Sequence, residues 1–267
     1  MNDECLNELS KLTGKKHILL TKRGNVSIRL ALKLAKHLGF MRVLLQDQGG
    51  WLTYKQFCAK EKLEVVEITT IHGVMDPRTI EGYEGCVLLI NSMPAYSFLQ
   101  DMSVIENICN QRNIFLINDV SGSIGTDEAK HGDVVLGSFG IDKPVNLGSG
   151  GFIAADRKEH IDFLEKSNPV QGIDHAKLAF RLLDLPARLG RLTNLKNKLI
   201  EELEAIEFGN YIINRNEKGI NILVRYCSES QKQRLINYCA KKRIEYTLCP
   251  RSIRVNERAV CFELKRK

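Results

Sequence analysis

One lysine, Lys143, stands between two apolar runs in the stretch Val134 to Ala155, VVLGSFGIDKPVNLGSGGFIAA. The first run is β-branched and apolar and predicts a buried strand that ends at Ser138-Phe139. Gly148, Gly150 and Gly151 follow the lysine, and Phe152 to Ala155 reads as a second short strand. A lysine just past a strand end, with glycines holding the backbone close, is where a Schiff-base lysine would sit. Lysine condenses with an aldehyde only as a free amine. Its unperturbed pKa is about 10.4, so the site must desolvate it or place positive charge beside it. A lone loop lysine is ordinarily a solvated one, so the rest of the chain has to supply the partners.

The chain that must hold this lysine has 267 residues, 43% of them hydrophobic. That suffices for one large α/β domain plus a small appendage and excludes wholesale disorder. No apolar run is long enough to span a bilayer. The start, MNDECLNELSKL, shows no cleavable signal pattern and predicts an amphipathic helix over Asn2 to Leu12 that docks on the domain or on a partner. Eight cysteines are scattered without a CxxC pair, which predicts reduced thiols in a cytoplasmic protein rather than a disulfide frame or a zinc site. The net charge is +7, with much of the surplus after Lys177 and a basic LKRK ending. A basic surface attracts nucleic acid or anionic substrates, but without interleaved aromatics a solvated basic face is the favoured reading.

The elements follow in order. Lys16 to Thr21 is a short apolar run, and Gly24 and Asn25 then punctuate before a helical pattern over Ile28 to Leu38. A glycine turn opening onto a helix N-terminus is a ready phosphate site, because free N–H groups and the helix dipole converge there. Met41 to Leu45 reads as a strand, followed by a loop that carries Trp51, the only tryptophan. At a strand's C-terminal end, where open α/β sheets bind ligands, Trp51 could stack on an aromatic ring or anchor the helix over Thr53 to Lys62. Leu63 to Thr69 and Cys86 to Ile90 read as strands, the latter followed by Asn91-Ser92-Met93-Pro94-Ala95-Tyr96. Helix Met102 to Arg112 leads to strand Ile114 to Ile117 and then to Asn118-Asp119-Val120-Ser121-Gly122-Ser123. An aspartate behind a buried strand needs a cationic partner, unless it, Ser121 or Ser123 caps a helix. Arg157 to Glu165 reads as a short helix, and Gly172 to Ile206 as a long helical pattern in which Pro186 forces a kink or break. The expected organisation is a mostly parallel, three-layer large domain over 1–170, a connecting helical segment over 171–208 and a small α+β domain over 209–267. In that last part Gly219 to Tyr226 reads as a strand and Ser230 to Lys242 as a helix.

Four features thus follow strand ends and can share one crevice: a glycine turn at a helix start, an aromatic, an aspartate and a lysine. Pyridoxal phosphate needs this set. The helix takes the phosphate, the aromatic stacks on the ring, the aspartate keeps the ring nitrogen protonated and the lysine carries the aldehyde. With these residues in view, the chain resembles the fold type I pyridoxal-phosphate enzymes, nearest the DegT-type aminotransferases that act on keto sugars. Ser138-Phe139-x-x-x-Lys143 with Gly148-x-Gly150-Gly151 looks like that family's S-F-x-x-x-K and G-x-G-G element. Asn118-Asp119-Val120-Ser121 is similar to its E-D-x-A element, and Gly24-Asn25-Val26 to the S-G-T of its phosphate-binding helix. The resemblance spans roughly Thr21 to Leu203. It implies that Lys143 carries the Schiff base and Asp119 faces the ring nitrogen. Ser121 would lie against the ring, Ser138 and Gly24, Asn25 and Val26 at the phosphate, and Trp51 on the ring face. It also implies an aspartate-aminotransferase-like fold and a homodimer. Gly122 departs from the pattern, standing where the family has His or Gln. So does Gln171-Gly172-Ile173-Asp174, where the family has G-x-N-x-R.

The first functional reading is an aminotransferase that moves nitrogen from an amino acid donor to a keto or aldehyde acceptor. An arginine should then hold the donor's carboxylate, with Arg254, Arg251 or Arg23 as candidates and surface arginine as the plain alternative. The second is another pyridoxal-phosphate chemistry, such as β-elimination or a selenocysteine-synthase-like reaction on a charged tRNA. The third is a non-catalytic binding protein that keeps the fold.

Overall fold

The computed structural model describes residues 2–167 and 172–267, side chains from Glu4 onward. The expected boundary between 170 and 171, and Gln171 of the departing tetrad, lie outside the described residues. The first part of the chain runs α1 (Asn2–Thr13), β1 (His17–Thr21), α2 (Gly24–His37), β2 (Arg42–Gln46), α3 (Thr53–Lys60), β3 (Glu64–Ile68), β4 (Val87–Asn91), α4 (Met102–Gln111), β5 (Phe115–Asp119), β6 (Val134–Ser138), β7 (Gly151–Ala155) and α5 (Lys158–Glu165). Then come α6 (His175–Leu183), α7 (Leu185–Ala205), β8 (Ile222–Arg225), α8 (Glu229–Lys241), β9 (Tyr246–Leu248) and β10 (Ala259–Phe262).

The large sheet has seven strands in the order β1-β7-β6-β5-β4-β2-β3. Strands β6, β5, β4, β2 and β3 are parallel, whereas β7 is antiparallel to both β6 and β1. Each central strand is apolar on both faces, as a covered parallel strand must be. Val87 and Leu89 join one core with Ile28, Leu32 and Ala35 of α2, while Leu88 and Ile90 join the opposite core with Met102 and Ile105 of α4. Helix α1 docks through Cys5 and Leu9 into the core that also holds Leu178 and Leu182 of α6. The result is the expected three-layer, mostly parallel architecture.

The second sheet is a small antiparallel one, β8-β10-β9. Its Val260 and Phe262 pack with Leu199 and Leu203 of α7 and Leu235 of α8. Its other face, Leu223, Ala259 and Cys261, packs on Ala95 and Phe98 of the large part. The helical pattern over 172–206 divides between Leu183 and Leu185, and Pro186 lies in the first turn of α7. A proline is tolerated there because a first-turn N–H has no intrahelical partner to lose.

Among the element ends that differ from expectation, two bear on function. Helix α2 begins at Gly24, not Ile28, so Gly24 and Asn25 form its first turn. Strand β5 runs through Asp119, so the carboxylate sits on the last ladder residue rather than in a loop.

Burial also sets a pH dependence. It pushes the thiols of Cys58, Cys109 and Cys239 from the usual value near 9 up to about 12. A group whose native pKa is raised stabilises the fold below its unfolded pKa and loses that contribution as pH climbs to the native value. Urea denaturation at increasing pH should therefore show stability falling between about pH 9 and pH 12. A Cys58→Val, Cys109→Val, Cys239→Val variant should fall less steeply.

Candidate active site

Every C-terminal strand end of the parallel set opens on one side of the sheet, where a cavity of about 380 Å³ lies. That is a small-molecule size. Of the nine residues singled out from sequence, Gly24, Asn25, Trp51, Asp119, Ser121, Ser138, Lys143 and Arg254 line it. Val26 does not. It packs against the core beneath α2, and its amide already bonds the Arg23 carbonyl at 2.9 Å. Helix α2 starts earlier than expected, which places Val26 within its first turn. The third residue of the first turn has rotated toward the sheet.

The floor is polar and ordered. Asp119 is buried, and its Oδ2 accepts a hydrogen bond of 2.6 Å from the Tyr54 hydroxyl. Its Oδ1 accepts from the Ser121 amide at 3.0 Å. Asp119 caps no helix. Burial first, and the Asp119 charge second, push the Tyr54 phenol well above its ordinary pKa, so Tyr54 stays a donor. Ser121 Oγ in turn accepts from the Ser138 amide at 3.0 Å, and so ties the ends of β5 and β6 together.

At one wall, the N-terminus of α2 meets the end of β6. No side chain caps this helix and no acidic residue stands in its first turn, so its positive dipole end is uncompensated. Gly24 is required there by close approach. A Cβ on it would lie 2.6 Å from Ser138 Cβ and 2.9 Å from Ser138 Oγ.

Lys143 reaches in from the loop after β6. Its Nζ lies 4.9 Å from the Trp51 ring centroid and 5.0 Å from that of Tyr96, distances at which a cation is held by a ring face. It donates a hydrogen bond to the Tyr96 hydroxyl. Trp51 is 38% exposed and therefore not the core anchor that was one reading of it. Its Nε1–H donates to Asn25 Oδ1 at 2.8 Å, which fixes the indole across the cavity mouth.

Arg254 lines the cavity but is already engaged. It is buried, and its Nε and Nη2 bond the Glu263 carboxylate at 2.8 and 3.0 Å. Its Nη1 donates to the Ile253 carbonyl at 2.8 Å. Burial alone would push Glu263 up, but the Arg254 and Lys265 charges outweigh it and hold the carboxyl below its ordinary value. Lys265 is buried beside the same carboxylate, and burial lowers its amine to about 8. Two cations of the basic tail thus lie inside the molecule rather than on a basic surface. Arg23, by contrast, is exposed and lines the cavity.

Sequence reading passed over Tyr54 and Tyr96. Tyr54 was counted only as helix, and no local pattern marks it. Tyr96 closes a run that follows a buried strand, on the side where this fold puts its ligands, and that position was the available signal. Tyr96 and Met93 both crowd Gly122, with Met93 Cβ 3.2 Å from where a Cβ would stand. A Cβ on Gly122 would lie 3.1 Å from Tyr96 Cδ1.

No family model and no curated protein matches the sequence. Solved structures do match. A DegT DnrJ EryC1 StrS aminotransferase from Brucella abortus superposes with a TM-score of 0.76 at 13% identity, covering 98% of this chain and 84% of that one. The fold is aminotransferase-like. The ntda protein of Bacillus subtilis, solved with bound cofactor pmp, gives a TM-score of 0.75 at 16% identity over 98% of this chain and 72% of its own. Sphingomonas wittichii serine palmitoyltransferase gives 0.71 at 12% identity over 97% and 70%. An aminotransferase-like fold therefore serves more than one reaction, and the chemistry has to be argued from the site.

Proposed function

We propose that the protein is a pyridoxal-phosphate-dependent enzyme that transfers an amino group from an amino acid donor to a keto or aldehyde acceptor. The observation that carries this is that Lys143 and Asp119 line one cavity together with the N-terminus of α2 and Trp51. The residues fit the group: a buried carboxylate for a ring nitrogen, an uncompensated helix N-terminus for a phosphate, a ring face and an amine. The matching structure with bound pmp supports the same cofactor.

When bound, pyridoxal phosphate supplies an electron sink for the carbanion left as an amino acid loses its α-proton. The chain's residues do the rest. Asp119, held by Tyr54 and the Ser121 amide, keeps a proton on the ring nitrogen. Gly24, Asn25 and Ser138 hold the phosphate at the helix end. Trp51 covers the ring. Lys143 Nζ would be the point of covalent attachment and the amine placed to move a proton at the donor's α-carbon. Arg254 would have to leave Glu263 to clamp a donor carboxylate, so Arg23 takes that role in this proposal. The large and small sheets, joined by α6 and α7, serve as the cofactor-binding and C-terminal domains. A homodimer completes the proposal. Trp51, Leu52 and Ile141 are exposed apolar residues at or beside the cavity mouth, and gel filtration tests it.

The direct test is to add pyridoxal 5′-phosphate, look for visible absorption, reduce with borohydride and map the modified peptide. Attachment at Lys143 followed by bleaching with glutamate supports transamination. Pyruvate release from serine or cysteine would point to elimination instead, and no attachment at all would sink both readings. Gly24→Ala should weaken cofactor affinity on the order of tens of times, because Ser138 must move by a sizeable fraction of an ångström. Spectrophotometric titration of the cofactor reads this directly.

A further inference from the structure

Tyr96 is held with unusual insistence. Ala95 and Tyr96 both adopt left-handed backbone, with φ of 56° and 60°. Two consecutive non-glycine residues in that region store strain, which persists only where the surroundings over-determine it. Here they do. The Tyr96 N–H donates to the Met93 carbonyl at 3.0 Å, and the Tyr96 carbonyl accepts from the amides of Ile220 at 2.7 Å and Asn221 at 2.8 Å. Asn221 Nδ2 also donates to the Ala95 carbonyl at 3.2 Å.

This backbone aims a buried phenol into the cavity, against Gly122. Three cations face its ring: Lys265 Nζ at 4.9 Å, Lys143 Nζ at 5.0 Å and the Arg254 guanidinium at 5.7 Å. Of these, only Lys143 donates to the Tyr96 hydroxyl. Arg254 and Lys265 are both paired with Glu263 behind the ring.

We propose that Tyr96 is the positioning residue for the Lys143 amine, and that Gly122 is glycine to admit its ring. This rests on the reading of Lys143 as the attachment point. The hydroxyl accepts from Nζ and fixes the amine between the Trp51 and Tyr96 ring faces. The strained turn and the bonds from Ile220 and Asn221 keep the hydroxyl there against the loop's own preference.

Two measurements without cofactor test the proposal, and one with it separates its failure from that of the site as a whole. First, the full-length chain is treated with limiting acetic anhydride at neutral pH, and acetylation of Lys143 is followed by peptide mapping. Tyr96→Phe keeps the ring and removes only the acceptor. Lys143 should then label severalfold faster, because its amine is no longer tied to the Tyr96 hydroxyl. A Lys143 labelling rate equal to wild type overturns the positioning role. Second, thermal melting of Gly122→Gln, Tyr96→Ala and the double variant forms a cycle. Gly122→Gln should lower the melting temperature strongly with Tyr96 present and by clearly less once it is alanine, Met93 Cβ remaining close. Additive shifts overturn the link between the two positions. Third, pyridoxal 5′-phosphate should attach to Lys143 of Tyr96→Phe about tenfold more slowly than to wild type, because the amine is no longer held in place for attack on a bound aldehyde. Wild type that never takes up the cofactor overturns the site reading and this role together. Wild type and Tyr96→Phe that attach it equally fast overturn the role of Tyr96 alone.

Discussion

Lys143→Ala should abolish borohydride-trappable attachment of pyridoxal phosphate and leave the protein folded. The side chain is half-buried, hangs from the loop after β6, and makes its hydrogen bond to Tyr96 at the cavity wall rather than in a core. Its removal opens space in an existing cavity, so the melting temperature should stay close to wild type. The chemical loss should be complete, since no other residue of the cavity lining is a lysine. The measurement is peptide mapping after reduction, beside a melting curve. Trapping that persisted on another lysine, such as Lys22, would transfer the proposed role and undo the arrangement with Asp119.

Asp119→Asn should cost activity on the order of a hundredfold to a thousandfold, the magnitude seen when one preorganised electrostatic partner is removed. Asparagine is nearly isosteric, and it still accepts the Tyr54 hydrogen bond at the position Asp119 Oδ2 now holds. What it lacks is the charge that keeps a ring nitrogen protonated, and its Nδ2 in place of Oδ1 no longer accepts from the Ser121 amide. Cofactor should still attach at Lys143, while half-reaction rates with an amino donor collapse. Asp119→Ala is the harsher change. It strands the buried Tyr54 hydroxyl, and leaving such a donor unpaired costs about 1–3 kcal/mol. A stopped-flow donor half-reaction, run beside urea denaturation, separates the electrostatic loss from the structural one.

Much of this site was legible before any coordinates because its residues announce themselves locally. Lys143 and Trp51 follow strands and Asp119 ends one, and parallel strands deliver their ends to one side of a sheet. The mostly parallel, three-layer architecture followed from the same alternation of apolar runs and helices, while the antiparallel β7 and β1 did not. What was not legible came from contacts across the chain. Arg254 is an ordinary tail arginine until β10 brings Glu263 under it. Tyr54 reads as a helix residue, and only the packing of α3 against the sheet carries its hydroxyl to Asp119. The early start of α2, which removes Val26 from the cavity, was hidden because glycine and asparagine are weak helix formers. Here close packing of Gly24 on Ser138 overrides that local preference.

The bonds from Ile220 and Asn221 to the carbonyl of Tyr96 have a temporal consequence. During synthesis the ribosome finishes Lys143 well before it reaches Ile220. At about 5–20 residues per second, that interval lasts several seconds. Throughout it the emerging polypeptide owns both reactive side chains but not the clasp that sets the tyrosine between them. A cell making this protein would meet a nascent form whose amine is present but whose tyrosine is not yet held, until Ile220 and Asn221 emerge.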